Sequence, residues 1–260
     1  MSNSASSWAD GPLLAFDLET TGTDTETDRI VTGTLISIQP GAAPQVRTWL
    51  ADPGVEIPAE AAEVHGISTE HAREHGRDAA EVTAEITEAL TSAWNASAPL
   101  CVFNAPFDLS LLTSELRRHH GRELALTGPV VDPRCLDKRL DRYRKGKRTL
   151  GALCEHYRVR LDAAHDSAAD ALACARLAWR LAKTYPAEVG TRPLALLHED
   201  QTGWHRDQQH DFAGFLERQA GRAADDAEAD GLRSRAAEVR SRAEHWPVAM
   251  GADVVHHAPA

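Results

Sequence analysis

The run Leu13-Leu-Ala-Phe-Asp17-Leu-Glu19-Thr-Thr-Gly22 constrains this chain more than any other segment. An apolar stretch feeds directly into two carboxylates and a turn. Alternate residues of a strand project to one face, so Asp17 and Glu19 emerge together at the strand's end. Two carboxylates held this close repel each other unless a cation lies between them. Hard divalent ions such as Mg²⁺ take oxygen ligands of this kind. The D-x-E pair alone is equally a strand end with two solvated acids. The whole D-x-E-T-T-G behind an apolar strand is much more specific.

The rest of the chain supplies layers to cover that strand. Arg29–Ile38 is β-branched and alternating, and Gln45–Leu50 follows after a short Pro/Gly turn; short turns predict antiparallel pairing. Val82, Ile86, Leu90 and Trp94 recur every fourth residue, an amphipathic helix over Asp78–Trp94. Pro99–Phe103 and Gly128–Val131 read as strands. Phe107–His120, Pro133–Arg144, Thr149–Tyr157 and Ser167–Lys183 read as helices. Strands alternating with helices predict an α/β domain over residues 12–186, behind a frayed polar end at 1–11. Trp49, Trp94 and Trp179 fall on apolar faces and are expected in the core. Residues 187–260 read as a helical, acidic C-terminal extension. Leu194, Leu197, Trp204, Phe212, Phe215 and Leu216 suggest a helix docked there through a sparse apolar face. Ala220–Glu244 reads as a solvated helix or a partly disordered segment.

Charge narrows the function classes. The 260 residues carry a formal net charge of −11, which argues against coating nucleic acid by bulk charge. A locally basic groove stays possible: Asp137–Arg148 holds seven basic and two acidic residues. No run approaches the ~18 apolar residues of a membrane helix. The first residues lack the basic and apolar regions of a secretory signal. Cys101, Cys135, Cys154 and Cys174 are scattered without a C-x-x-C pair. A cytoplasmic protein with reduced thiols and no membrane partner is expected.

Two further segments carry candidate chemistry. In Val102-Phe-Asn-Ala-Pro-Phe-Asp108 an apolar strand leads through Asn104 into a helix start. Asp108 there is either a helix-start acid or a ligand, and Asn104 a turn former or a substrate contact. In His165-Asp-Ser-Ala-Ala-Asp170 a histidine precedes a small-residue helix. Asp166 suits the helix cap and Asp170 a ligand. A neutral histidine beside a fixed carboxylate suits general-base work, though a surface histidine before a cap has the same sequence.

The order of these elements resembles the DEDDh 3′–5′ exonuclease superfamily, which includes the epsilon proofreading subunit of bacterial DNA polymerase III and ribonuclease T. Val64-His-Gly-Ile67 before Ser68-Thr-Glu70 is also similar to that family's H-G-I-T element. The resemblance covers about Leu13 to Tyr185. It implies a ribonuclease H-like α/β fold, a mixed five-stranded sheet flanked by helices. It implies Asp17, Glu19, Asp108 and Asp170 as ligands of two divalent cations, Mg²⁺ or Mn²⁺, and His165 as the base. Leu18, Thr20, Thr21 and Gly22 would border the terminal nucleotide. His65 would sit near the bound 3′ end or hold a loop. Phe103 stands where family members often have histidine, a change expected to affect packing more than chemistry.

The activity so implied is hydrolysis of terminal phosphodiesters of DNA or RNA to nucleoside 5′-monophosphates, in proofreading or repair. The substrate partner would be the 3′ end of a single strand. Arg142, Tyr143, Arg144, Lys145, Lys147 and Arg148 would grip it upstream, unless this segment is only a solvated connection. The resemblance to the polymerase subunit also suggests a polymerase or repair protein as partner of the extension, although no motif there carries that role. The alternative function is a non-catalytic nucleic-acid-binding or polymerase-adaptor module on the same fold.

Overall fold

The computed structural model describes residues 6–162 and 165–248. Its sheet runs β4-β3-β2-β1-β5-β6. The strands are β1 (Leu13–Thr20), β2 (Ile30–Ile38), β3 (Gln45–Asp52), β4 (Arg77–Asp78), β5 (Leu100–Cys101) and β6 (Val130–Val131). β1, β2 and β3 form an antiparallel meander, as their short turns predict. β5 and β6 join β1 in parallel. The sheet is mixed and flanked by helices, as expected, with one strand more than five. The addition is β4, whose two residues pair in parallel with Ala51 and Asp52.

The helices are α1 (Ala59–His65), α2 (Thr69–His75), α3 (Ala79–Ala93), α4 (Ala105–His120), α5 (Pro133–Leu140), α6 (Leu150–Tyr157), α7 (Ser167–Thr184), α8 (Leu194–Ala220) and α9 (Asp226–Ser241). The alternation of β1 sorts them into layers. Leu14, Phe16 and Leu18 pack with Ile86, Leu90 and Trp94 of the α3 region and with Leu109, Leu112 and Leu116 of α4. Burying one such large side chain is worth about 1.5–3 kcal/mol. The opposite face carries Ala15, which packs with Ile36, Ala171 and Ala175. Small residues on both sides bring α7 close to the sheet, and the same face of β1 continues into Asp17 and Glu19.

The outer edge of β6 is closed by α8. Gln201 is fully buried. Its Oε1 accepts from Asp132 N at 2.8 Å, and its Nε2 donates to Val130 O at 2.9 Å. Val130 N donates to His198 Nδ1 at 3.1 Å. Two side chains thus satisfy backbone groups that a bare edge strand would leave open.

Several local expectations need correction. Residues 1–5 lie outside the described residues, but Trp8–Asp10 forms a 3₁₀ turn rather than a frayed end. Its indole Nε1 donates to Val189 O at 2.8 Å, and Ala9 is buried. α5 stops at Leu140 instead of reaching Arg144. Trp49 and Trp94 are buried, whereas Trp179 is 39% exposed and lies beside Arg180 and Lys183. In the extension, Leu197 and Leu216 are buried but Phe212 and Phe215 are not. Within Ala220–Glu244, the expected solvated helix is present as α9, mostly exposed and seated through Ala229 and Ala236. Among the described residues no helix is long and apolar enough to cross a membrane.

Candidate active site

The site forms where β1 ends against the first turn of α7. In the antiparallel register Asp17 faces Thr34 and Glu19 faces Thr32, so all four side chains share one face. Thr34 Oγ1 and Ser167 Oγ hydrogen-bond at 2.7 Å, and Thr32 Oγ1 donates to Ser167 Oγ at 3.4 Å. These contacts hold the first residue of α7 against the sheet. One turn later comes Asp170. One carboxylate oxygen from each of Asp17, Glu19 and Asp170 lies within 4.8 Å of the other two. The register slips between Glu19 and Thr20; such a bulge redirects the strand beside the site.

Asp108 approaches from the other layer. It lies in the first turn of α4, almost fully buried, and its Oδ1 accepts from Leu18 N at 3.0 Å. The turn ahead of it is set by Asn104, a left-handed residue at φ 63°. Asp132, capping α5, accepts from Asn104 N at 3.0 Å and Ala105 N at 3.2 Å. Arg134 Nη1 donates to Asn104 Oδ1 at 2.5 Å. Asn104 is therefore held by its neighbours at the mouth of the α4 turn. Asp132 was invisible as a site-shaping residue in the sequence, since Asp before Pro133 signals only a helix start.

The charged groups that act most on Asp17 are other carboxylates. Burial pushes its carboxyl well above the usual range, and Asp108, Glu19, Asp170 and Asp166 add to the push. Burial, then Asp170 and Asp166, raise Glu19 to about 7. Asp108 is raised to about 8 by burial, against the Leu18 N–H that favours its charged form. Asp170 is also raised by burial, with His165 acting in the opposite direction. Its Oδ1 is buried without a hydrogen-bond partner. An all-oxygen donor set, mutual repulsion and one orphaned ligand atom fit a hard divalent cation.

The histidines take different positions. His165 is exposed and left-handed at φ 65°, and its backbone N–H donates to Asp170 Oδ2 at 3.2 Å. Asp166 caps α7, accepting from Ala169 N at 2.9 Å, so Asp170 is left for the cluster. His65 ends α1, and its Nδ1 accepts from Ile67 N at 3.2 Å. The same ring neighbours the Thr20 backbone, and burial lowers its pKa.

The remaining predicted contacts divide. Thr20 Oγ1 donates to Gly22 O at 2.6 Å, and Thr21 Oγ1 to Asp28 Oδ1 at 2.8 Å. A Cβ on Gly22 would meet the Asp28 carboxylate at 2.5 Å, which explains a glycine at this turn. The side chains of Leu18, Thr20 and Thr21 are buried, so any contact they make to a nucleotide would be through the backbone of this turn. The basic segment changes most. Arg144 Nη2 donates to Asp137 Oδ2 at 3.3 Å, Arg148 also pairs with Asp137, and Tyr157 donates to Asp137 Oδ1 at 2.9 Å. Asp137 is 0% exposed. Arg142 pairs with Asp211 at 2.6 Å. Of the six basic-segment residues expected to grip substrate, Arg144 and Arg148 are engaged with this buried acid. Tyr143 is 87% exposed, and Lys145 and Lys147 are exposed too. Thr32, Thr34 and Ser167 were missed; the Thr-Gly-Thr alternation in β2 was their available signal.

Comparison with known proteins agrees with this geometry. The family model described as Exonuclease (RNase_T) matches residues 14–178. No curated protein matches the chain. Among solved structures, Exonuclease I of Methylocaldum szegediense is 23% identical, with a TM-score of 0.56, over 68% of this chain and 41% of its own. Escherichia coli Exonuclease I with a dT13 oligonucleotide is 20% identical, with a TM-score of 0.56, over 68% of this chain and 42% of its own. Its zinc-bound complex with single-stranded DNA is 19% identical, with a TM-score of 0.57, over 79% and 45%. This chain thus spans less than half the length of these neighbours, and the likeness is one of fold. With the family model covering more than half the chain and the acidic elements meeting in the fold, the chain belongs to the exonuclease family of the DEDD superfamily.

Proposed function

We propose that the chain is a metal-dependent 3′–5′ exonuclease that removes nucleoside 5′-monophosphates from single-stranded DNA or RNA. The convergence of Asp17, Glu19 and Asp170 carries this reading. Asp108 adds a fourth carboxylate, tied to the Leu18 backbone. Together they would hold two divalent cations, Mg²⁺ or Mn²⁺. When bound, such ions supply Lewis-acid charge at the scissile phosphate. The chain's own groups do the rest. The carboxylates fix where the terminal phosphodiester must lie. His165, exposed beside Asp170, takes the proton from the attacking water. Gly22 and His65, with the backbone of Leu18, Thr20 and Thr21, form the rim around the terminal nucleotide. Tyr143, Lys145 and Lys147 present one ring and two free charges to the strand upstream.

The solved neighbours support this reading, because Exonuclease I has been crystallised with single-stranded oligonucleotides. The test is a gel of 5′-labelled DNA and RNA strands incubated with Mg²⁺ or Mn²⁺. A ladder shortening one nucleotide at a time from the 3′ end is expected. Binding without shortening would replace the enzyme with a non-catalytic module, and shortening from the 5′ end would reverse the assigned polarity.

A further inference from the structure

The C-terminal extension does more than close the β6 edge. A cleft of about 490 Å³ lies between it and the catalytic domain. One wall is Thr23, Asp24 and Thr25, directly after the β1 motif, with Asn104, Pro106 and Phe107, directly before Asp108. The other wall comes from α8 and α9 and includes His205, Gln209, Phe212, Arg235 and Arg242. The cleft is therefore bounded by the residues next in sequence to two of the catalytic segments. Its volume lies within the roughly 300–1,000 Å³ range of small-ligand sites.

The composition of the α8–α9 wall is unusual for an acidic extension. α8 and α9 pack together through Ala213, Leu216 and Ala236, with Leu232 and Val239 against them. Phe212 and Phe215 stay outside that seam, 37% and 45% exposed, with nearly parallel rings whose centroids are 6.4 Å apart. The Arg235 guanidinium lies over the Phe212 ring at 5.7 Å, and among the described residues it has no carboxylate partner. Two acids, Asp24 and Glu238, also line the cleft. Glu238 pairs with Arg242 at 2.9 Å, Asp24 accepts from Glu26 N at 2.9 Å, and Glu217 pairs with Arg240. Phe212 and Arg235 thus line the cleft, and the half-exposed Phe215 extends the aromatic surface just beyond its lining. Aromatic faces stack bases of any sequence, and Arg adds cation–π and phosphate contacts.

We propose that α8 and α9 form the second wall of the substrate groove, with Phe212 and Phe215 stacking bases upstream of the terminal phosphodiester and Arg235 meeting the adjoining phosphate. The occupant is a single strand, because paired bases would have no free faces for the rings. The proposal rests on the exonuclease reading for the strand's direction, but its test does not require hydrolysis.

The full chain is titrated in EDTA at low salt against fluorescein-labelled strands from two to twelve nucleotides, read by anisotropy. The wild-type protein should bind the 12-mer at least ten-fold more tightly than the dinucleotide. Phe212→Ala/Phe215→Ala should abolish most of that gain with length. Arg235→Glu should weaken 12-mer binding and reduce the dependence of log K on log salt by about 1. All three substituted side chains lie outside the α8–α9 seam, and circular dichroism checks the fold; if the double variant misfolds, Arg235→Glu carries the test alone. Wild-type affinity in a folded variant, or no gain with length in the wild-type chain, overturns the proposal. Unchanged strand affinity with variant-sensitive self-association would instead give this face to a second copy. A protein that binds with this length dependence but hydrolyses nothing keeps the groove and refutes the nuclease.

Discussion

Two charged regions of this molecule behave in opposite ways. The β1–α7 junction gathers Asp17, Glu19 and Asp170 without an ion pair among the described residues, each pushed toward protonation by burial. The segment 137–148 looks far more charged in the sequence, yet Arg144 and Arg148 close on the buried Asp137. In the first region the acids are of one sign, and the fold leaves them a task. In the second, opposite charges satisfy one another and fasten α5 to the loop before α6. Charge that is available for chemistry is the charge that folding leaves uncompensated.

The sharpest break of this comparison is to remove a charge from each region. Asp170→Asn should lower the rate of strand shortening by several powers of ten, about 10³-fold or more, while thermal melting in EDTA stays at or above the wild-type value. Relief of repulsion accounts for the second effect. Asp137→Ala should do the reverse. It leaves two guanidinium groups and the Tyr157 hydroxyl without their shared acceptor. Urea denaturation should show a loss of about 3–5 kcal/mol. A destabilised Asp170→Asn or an undisturbed Asp137→Ala would erase the distinction.

The acidic cluster was legible because its spacing is local. D-x-E fixes two side chains on one strand face, and H-x-x-x-x-D fixes a helix start. The docking of those elements was not local: Thr34 and Ser167 meet across 133 residues. The internal pairing of the basic segment was not legible for the same reason. Nothing between residues 138 and 148 reveals that Asp137 points inward, since that depends on how α5 and α6 pack. α1, α2 and β4 were passed over because each is seven residues or shorter, too short for periodicity to register. Phe212 and Phe215 fit a helical stripe, but the stripe's buried members are Leu197 and Leu216.

Acidity offers a gentler probe. Glu19 is raised from 4.5 to about 7, and Asp108 from 3.8 to about 8. A carboxyl that holds its proton more tightly when folded stabilises the fold fully below its unfolded pKa. That contribution fades as pH climbs through the folded value. The melting temperature of metal-free protein should therefore fall between about pH 4.5 and 8, and saturating Mg²⁺ should flatten the decline. A rise in melting temperature over that interval without metal would count against the buried cluster.

The smallest effect belongs to the exposed lysines of the basic segment. Lys145→Ala and Lys147→Ala should leave stability unchanged and each reduce the salt slope of strand binding by up to about 1. Equal salt slopes in wild type and both variants would show that this segment has no free charge facing the strand.

Equilibrium dialysis of the metal-free chain against Mn²⁺ reaches the central claim without any substrate. The account predicts bound Mn²⁺ in the wild-type protein and its loss in Asp17→Asn and Asp170→Asn, both still folded by circular dichroism. A wild-type chain that takes up no Mn²⁺, or variants that take up as much as it does, would contradict it.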